Sequence, residues 1–383
     1  MAKEVTRYIK REVERVLWAK AGGRCQFNGC NRLLYRSPIT LETVNISEKA
    51  HIYSFSEDGP RGWGIFSRNT DQLNNVDNLM LMCHDCHKTI DQDKEGISYS
   101  ADLLIAWKAE HEHRVEVVTG INQNRKTHVV FYGANIGEEK SPIQRDDAFL
   151  AIFPQRYPIS EKPIVLSMSC SHQDKDEAYW VTESQHLKQA FLQRIVPTIE
   201  ENSPAHFTAF ALAPMPLLVQ LGVLFTDKVA VEVRQPIREP KTWVWQPEPA
   251  NFRFIVTEPL THHKKPVLVI SLSAKVDHER VTAILGSDID IWEIATELDH
   301  QHNDFIRVPS QLSLFRQEMR KLINKISSHA GNTTPLQIFP AMPVSCSIEL
   351  GRIRMPKADM PWIIYDQNNK AGKFIETLLI QEQ

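Results

Sequence analysis

The sequence predicts a two-part protein: a small α+β domain stabilised by zinc, followed by an α/β domain of two tandem Rossmann-like units. Two observations lead to this prediction. Four of the six cysteines stand in two short pairs near the N-terminus, and the second half of the chain repeats one strand-and-helix pattern. We expect the domain limits to be as follows: first domain 1–118, linker 119–145, second domain 146–383, with its units at about 146–255 and 256–383.

Composition bounds the function only loosely. The chain has 383 residues, 42% of them hydrophobic, and a net charge of −3, which suits a globular protein and does not by itself demand a nucleic-acid partner. Residues 1–36, however, carry nine Lys or Arg against three Glu, a local excess that can meet phosphates. The sequence has no signal-peptide pattern, and prolines interrupt its most apolar stretch. We therefore expect a cytoplasmic protein without a membrane span.

The elements of the first domain follow from local patterns. Apolar residues at helical spacing precede the pair Gly22-Gly23, which ends the helix just before Cys25. The segment NVDNLMLMCHDCHKTID is an apolar run that leads into a knuckle and a helix. The predicted elements are, in order, a helix at 4–20, a strand and turn at 44–55, a surface loop at 56–74, the knuckle and helix from 75, and a closing helix at 101–118.

The cysteine spacing indicates a metal site. Cys25 and Cys30 form a C-x4-C pair, and Cys83 and Cys86 form a C-x2-C pair. Four thiolates suit tetrahedral Zn²⁺, whose bonds can supply folding energy to a small domain with little core of its own. The alternative, four free core cysteines, does not account for the pairing.

The second half of the chain contains an internal repeat. Two similar apolar strands are each followed by an amphipathic helix, a strand ending in Met-Pro, a helix reaching Leu-Gly, a Lys six residues further on, and a last strand. The repeat predicts the order β-α-β-α-β twice. The matched segments are 162–169 with 265–273, 185–201 with 311–329, 206–216 with 335–343, and 229–234 with 362–365.

Such units predict parallel sheets with a ligand site outside the carboxyl ends of the strands, where helix N-termini point N–H groups at phosphates. We expect one composite pocket between the two units. The alternative is that the duplication only enlarges a scaffold.

Residues 78–87, NLMLMCHDCH, resemble the N-L-x-L-x-C-x-x-C-H pattern of HNH endonucleases, and the resemblance covers roughly residues 5–118. It implies a ββα-metal fold in which His51 is the general base, Asn78 orients the segment that carries His51, and His87 ligates a catalytic divalent cation, Mg²⁺ or another. Asn75 is the alternative for the middle position.

One departure from the HNH pattern concerns the metal ligands. Many HNH enzymes place an acidic residue directly before the catalytic histidine, where this chain has Ala50. The further ligand is then open among His84, Asp85, Glu57 and Asp58. A degenerate zinc module without activity is the alternative reading of the whole set.

The whole chain resembles the HNH–SAVED effector nucleases of bacterial CBASS anti-phage systems, whose SAVED domain fuses two CARF-like units. The Met-Pro, Leu-Gly and Lys repeats carry this resemblance, chiefly IFPAMPVSCSIELGRIRMPK at 338–357. It implies a sensor for a cyclic oligonucleotide such as a cyclic dinucleotide, homo-oligomerisation on binding, from a dimer to a tetramer or larger, and indiscriminate cleavage of double-stranded DNA in abortive infection.

A cyclic dinucleotide requires cations, helix N-termini and aromatic or apolar platforms. For Trp292, the alternative role is packing at a domain interface. The candidate ligand-binding residues are Lys357, Arg352, Arg354, Trp292, Cys170, Ser171 and His172.

Two rival functions remain. A restriction-type HNH enzyme would recognise a DNA sequence or a modified base through its C-terminal half, but that half has no concentrated basic stripe. A zinc-stabilised nucleotide sensor without enzymatic activity would act by binding a partner, and would not need His51.

Overall fold

The chain forms two compact units, Met1–Asn122 (unit 1) and Gln123–Gln383 (unit 2). The structure is a computed structural model that describes residues 6–135, 143–167, 177–202, 204–260, 265–368 and 371–381. Within those ranges, no helix has both the length and the apolar character needed to cross a membrane.

Unit 1 is built around a ββα arrangement. Its two strands pair antiparallel, and the second strand runs directly into a helix. The helix before the first knuckle ends at Gly22, which has the left-handed φ of 60° that glycine tolerates best. The helices and strands are α1 (Arg11–Ala21), β1 (Ser47–His51), β2 (Leu79–Cys83), α2 (His84–Gln92) and α3 (Ala101–Thr119).

The core of unit 1 centres on β2. Every residue of this strand is buried, and Leu17 of α1 and Leu104 of α3 belong to the same apolar cluster. Burial on both faces explains why the strand reads as a continuous apolar run rather than as an alternating pattern. The strand therefore holds Cys83 and the start of α2 in a fixed place.

The first half of unit 2 contains a parallel sheet. Its strand order is β4-β3-β6-β7, and β5 also pairs with β3; all of these pairs are parallel. The elements are β3 (Lys126–Gly133), α4 (Arg145–Ile152), β4 (Tyr157–Pro158), β5 (Ile164–Ser167), α5 (Glu177–Arg194), α6 (Val196–Glu201), β6 (His206–Leu212), α7 (Met215–Phe225) and β7 (Ala230–Val233).

The second half of unit 2 contains a mixed sheet in the order β13-β12-β11-β9-β10-β8. The pairs from β12 to β10 are parallel, and the two edge strands are antiparallel to their neighbours. The elements are β8 (Phe254–Thr257), β9 (Lys265–Ser271), α8 (His278–Leu285), β10 (Ile289–Thr296), α9 (Pro309–Ala330), β11 (Leu336–Ala341), α10 (Val344–Arg352), β12 (Trp362–Asn368) and β13 (Lys373–Ile380).

The structure corrects the predicted linker and the alignment of the repeat. Residues 119–145 contain β3, which pairs with β5 and β6 just as β9 pairs with β10 and β11. The counterpart of β9 is therefore β3 and not the Lys-Pro strand near 164, whose counterpart is β10. Among the described residues, the first half has five strands and four helices and the second half has six strands and three helices, whereas three strands and two helices were predicted for each. The glycines around β3 concealed it, and two apolar strands that both follow Lys-Pro were matched in its place.

The two halves of unit 2 meet where α7 crosses α10. A Cβ on Gly222 would lie 1.9 Å from the carbonyl oxygen of Ile348, and a Cβ on Gly351 would lie 1.9 Å from that of Val219. Only glycine allows two backbones to approach this closely. As a result Val219 of α7 packs into the core of the second half, and Ile348 of α10 packs into the core of the first.

We predict that Gly351→Ala destabilises unit 2 by roughly 2–3 kcal/mol, because the added methyl group meets backbone that cannot move independently. Chemical unfolding of the full chain, followed by tryptophan fluorescence, measures the change. Gln189→Ala on the exposed face of α5 is the control and should be nearly neutral. Equal effects of the two substitutions would contradict the close crossing.

Candidate functional site

The four paired cysteines of unit 1 converge. Their sulfur atoms all lie within 4.8 Å of one another, and Sγ of Cys30 is 3.9 Å from Sγ of Cys83. Zn–S bonds of about 2.3 Å in a tetrahedron place the sulfurs about 3.8 Å apart. The four thiols and their spacing therefore suit a tetrahedral ion such as Zn²⁺, and zinc at this site stays a prediction.

The first knuckle is attached to β2 by its own polar groups. The side-chain oxygen of Gln26 accepts the N–H of Leu81 at 2.7 Å, and the Gln26 N–H donates to the Leu81 carbonyl at 2.9 Å. Burial raises the pKa of the Cys25 thiol to about 12. Without a cation this thiol stays protonated at neutral pH, so binding of zinc must release its proton.

A second cluster lies at the end of β1, around a cavity of about 430 Å³. His51 lines this cavity, and its Nε2 is 2.9 Å from Oδ1 of Asn74. Asn74 donates from Nδ2 to the carbonyl of Thr6 at 2.7 Å, so its oxygen faces the imidazole and accepts the Nε2 proton. Nδ1 of His51 is thereby left as the unprotonated nitrogen.

Burial lowers the pKa of His51, while the bond to Asn74 opposes that shift. The imidazole is therefore neutral at physiological pH, the form in which it can take a proton. Asn74 lies in a loop rich in polar residues and was missed by sequence reasoning, because no periodic pattern there distinguishes one asparagine from another.

Asn78 supports the backbone that follows His51. Its Oδ1 accepts the N–H of Tyr53, and its Nδ2 donates to the carbonyls of Tyr53 and Leu73, each at 2.9 Å. The side chain is buried, whereas that of Asn75 is exposed. The contacts favour Asn78 over Asn75 as the residue that orients the His51 segment.

His87 of α2 faces the same cavity, together with two carboxylates that the sequence analysis did not propose. Its Nε2 is 3.2 Å from Asp91, one helical turn further on, and its Nδ1 is 3.9 Å from Glu48 on β1. Imidazole and carboxylate are suitable ligands for a divalent cation, so this donor set fits a catalytic metal. The i,i+4 spacing of His87 and Asp91 was the available sequence signal.

The other proposed ligands lie elsewhere. Asp85 pairs with Arg32 at 3.1 Å, and neither Glu57 nor Asp58 lines the cavity. The side chain of His84 is 59% exposed, with Nδ1 3.4 Å from Glu48. Ala50 is fully buried, because its place on β1 faces the core of unit 1.

Unit 2 contains a cavity of about 580 Å³ at the carboxyl ends of β6, β7, β11 and β12. Both halves of the unit line it, as expected for a composite pocket. The first residues of α7 and α10, Met215 and Val344, are at its wall, so the positive ends of two helix dipoles face it. Gln235 and Ser345 bridge the halves beside it, with Ser345 Oγ donating to Gln235 Oε1 at 2.7 Å.

Among the described residues, Arg238 and Lys241 are exposed cations that line this cavity, and they lie on a short antiparallel turn closed by Ile237 and Thr242. Trp243, 7% exposed, also lines it. A cationic turn beside an indole and two helix N-termini suits an anionic ligand that carries bases. The stretch REPKTW held this signal, and the sequence analysis did not single it out. Trp243 also belongs to a buried apolar cluster of the first half.

The predicted ligand residues of unit 2 that the structure describes do not line this cavity. Trp292 is buried in the core of the second half, where Trp292 and Ile294 of β10 point to the same side. Lys357 is exposed in the loop after α10 and does not line the cavity. Cys170, Ser171 and His172 lie outside the described residues.

Arg352 and Arg354 are structural. Arg352 is 9% exposed; it pairs with Glu349 at 2.9 Å and donates to the carbonyls of Thr226, Val229 and Val231. Arg354 is 4% exposed, and its guanidinium carbon is 5.7 Å from the centre of the Trp362 ring. Arg352 thus ties α10 to the loop and strand that follow α7, and neither guanidinium is available to a ligand.

A ββα unit with a thiol cluster and a histidine-lined cavity, joined to an α/β unit with a composite pocket, defines a nuclease domain linked to a sensor domain. The profile of the family described as HNH endonuclease matches residues 25–97. The profile described as SMODS-associated and fused to various effectors sensor domain, SAVED, matches residues 187–380, half of the chain. The chain belongs to the SAVED family, and its first unit is an HNH endonuclease domain.

Distant structural likenesses exist among Cap4 SAVED/CARF-domain containing receptors. The Acinetobacter baumannii receptor with the cyclic trinucleotide 2'3'3'-cAAA is 10% identical, with 82% of this chain and 67% of that chain covered and a TM-score of 0.41. The receptor from the same organism in a second structure is 12% identical, with 83% and 65% covered and a TM-score of 0.42. The Moraxella osloensis receptor is 12% identical, with 81% and 68% covered and a TM-score of 0.37. No protein with a curated description matches the sequence.

We predict that Cys83→Ser removes bound zinc and lowers the unfolding temperature of unit 1, because a hydroxyl replaces one of four converging thiols. Elemental analysis and thermal unfolding measure both effects. Cys346→Ala is the control, since Cys346 is buried in the core of unit 2 and is not a member of the thiol cluster, so its loss should leave the zinc content unchanged. Full zinc occupancy in Cys83→Ser would contradict the site.

We also predict opposite outcomes for the two neighbouring asparagines. Asn78→Ala leaves the buried carbonyl of Leu73 and the partly buried backbone groups of Tyr53 without partners, which should destabilise unit 1 by about 3 kcal/mol and reduce cleavage. Asn75→Ala changes an exposed side chain and should stay within about 0.5 kcal/mol of the wild type. Denaturant unfolding and plasmid cleavage measure both; a larger loss in Asn75→Ala would reverse the assignment.

Proposed function

We propose that the protein is a cytoplasmic, metal-dependent endonuclease, activated by a cyclic oligonucleotide, that degrades double-stranded DNA without sequence preference in antiviral defence. The convergence of His51 and His87 with two carboxylates on one cavity carries the proposal for cleavage. The composite cavity of unit 2 supports the proposal for activation.

In this proposal His51 is the general base. Asn74 holds its Nε2 proton, so Nδ1 can accept a proton from the attacking water. Asn78 keeps the chain after β1 in place. His87, Asp91 and Glu48 would hold the divalent cation, Mg²⁺ or another, which when bound neutralises charge on the scissile phosphate and the leaving oxygen.

The proposed activator is a cyclic dinucleotide or a related cyclic oligonucleotide. Arg238 and Lys241 would meet its phosphates, as would the N-termini of α7 and α10, while Trp243 offers apolar surface to a base. Asp147 and Asp366 also line the cavity and could accept hydrogen bonds from base amino groups. Binding here touches both halves at once.

Activation requires that the ligand bind the active state more tightly than the inactive one. We propose that the protein without ligand is a small, weakly active oligomer such as a dimer, and that ligand produces a tetramer or larger assembly. A pocket lined by both halves suits this role, because a bound ligand changes the surface at the carboxyl ends of both sheets, where another copy could bind.

The deciding experiment incubates the full chain and Mg²⁺ with two unrelated plasmids, with and without a panel of cyclic di- and trinucleotides. We expect degradation of both plasmids with one activator and at least a 100-fold loss in His51→Ala. Light scattering should show a larger assembly with the same activator.

Matched lysine variants test the cavity. Lys241→Ala should raise the activator concentration for half-maximal cleavage about tenfold, since a charge-assisted hydrogen bond is lost. Lys357→Ala, in the same unit but outside the cavity, should not. Cleavage independent of every nucleotide would instead favour a restriction-type enzyme, and full activity of His51→Ala would contradict the HNH mechanism.

A further inference from the structure

Of the residues that the structure describes, three Lys or Arg line the cavity around His51, and they differ in what they already bind. Lys49 pairs with Glu14 at 3.0 Å. The guanidinium of Arg61 is buried; it donates to the carbonyls of Ile52 and Ile90 at 2.6 and 2.9 Å. Within the described ranges, Arg7 has neither a carboxylate nor a carbonyl partner for its guanidinium, and it is exposed.

Arg7 is nevertheless held in place. Its guanidinium carbon lies 4.3 Å from the centre of the Phe55 ring, a cation–π contact. The same ring meets the His51 imidazole edge-on, with ring centres 5.8 Å apart. The Phe55 ring therefore contacts both the guanidinium of Arg7 and the imidazole of His51, the proposed base.

The backbone on either side of Arg7 is fixed by the residue that positions the base. Asn74 donates from Nδ2 to the carbonyl of Thr6 at 2.7 Å and approaches that of Tyr8 at 3.4 Å, while its Oδ1 accepts from His51. One amide thus couples the segment 6–8 to the imidazole. A displacement of this segment would disturb both Arg7 and the His51 imidazole.

From these contacts we infer that Arg7 binds the scissile phosphodiester beside His51 and is a further catalytic residue of the nuclease. This inference rests on the proposed endonuclease function and adds the group that holds the substrate anion. A guanidinium has a planar set of donors that matches two phosphate oxygens, and stacking on Phe55 leaves its edge free to donate. Glu48 and Asp91, the carboxylates beside His87, form no ion pair with the Arg7 guanidinium, so they do not neutralise its charge.

The test compares Arg7→Ala with Arg15→Ala in the full chain. Arg15 is an exposed arginine of α1 that does not line the cavity, so it matches the change in charge and size. With the activator that supports wild-type plasmid cleavage, Arg7→Ala should lower kcat/KM about 10- to 100-fold, the loss of a hydrogen-bonded charge contact. Arg15→Ala should change it less than about twofold. Zinc content and unfolding temperature should match the wild type in both.

Two conservative variants separate a contact to the phosphate from a general effect of charge. Arg7→Lys keeps the charge but loses the planar fork, and Phe55→Leu keeps Arg7 but removes its platform; each should give an intermediate loss. If Arg7→Lys retains full activity, or if Arg7→Ala and Arg15→Ala lose equal activity, the inference is overturned.

A binding measurement decides the inference even if cleavage fails. Anisotropy of a labelled 20-base-pair duplex with Ca²⁺ gives affinity over a range of salt concentrations. Loss of one phosphate contact should reduce the slope of log affinity against log salt by about 0.9 in Arg7→Ala and leave it unchanged in Arg15→Ala. Absence of wild-type cleavage with every nucleotide would contradict the proposed function, whereas an unchanged slope in Arg7→Ala would contradict the role of Arg7.

Discussion

The contact between Gly222 and Gly351 is the constraint on which unit 2 depends. Because neither residue has a side chain, α7 and α10 approach until backbone meets backbone. That approach brings the N-termini of both helices to the same cavity. It also places Val219 in the core of the second half and Ile348 in the core of the first. Arg352 then fixes the geometry, with a guanidinium that satisfies carbonyls in the segment after α7. The ligand cavity is thus a consequence of helix packing and not of any one loop.

The nuclease unit was predictable because its determinants are contiguous. The run from Asn78 to His87 encodes a buried strand, a knuckle and the first turn of a helix, so the order of the residues nearly determines their positions. The partners from distant parts of the chain were not predictable in the same way. Asn74 reaches His51 from an irregular loop, and Glu48 reaches His87 through the pairing of β1 with β2. Their roles depend on the register of strands and the path of a loop.

In the sensor unit, the repeat was visible but its alignment was not. Sequence similarity matched two strands after Lys-Pro, whereas sheet position matches β3 with β9. The same error affected Trp292. Because β10 was not predicted, this tryptophan was proposed as a ligand residue, whereas it lies on the buried side of β10. Arg352 was misjudged for a related reason. A basic residue beside a Leu-Gly pair resembles a phosphate ligand, until the close crossing of the helices removes it from solvent.

The exchange of Val219 and Ile348 has a consequence for how the sensor unit can be divided. Each half contributes a side chain that the other needs to complete its apolar interior, so neither half is a self-sufficient folding module. In the intact protein the two halves should behave as a single cooperative block, and a polypeptide cut between β7 and β8 should hold together as a non-covalent heterodimer.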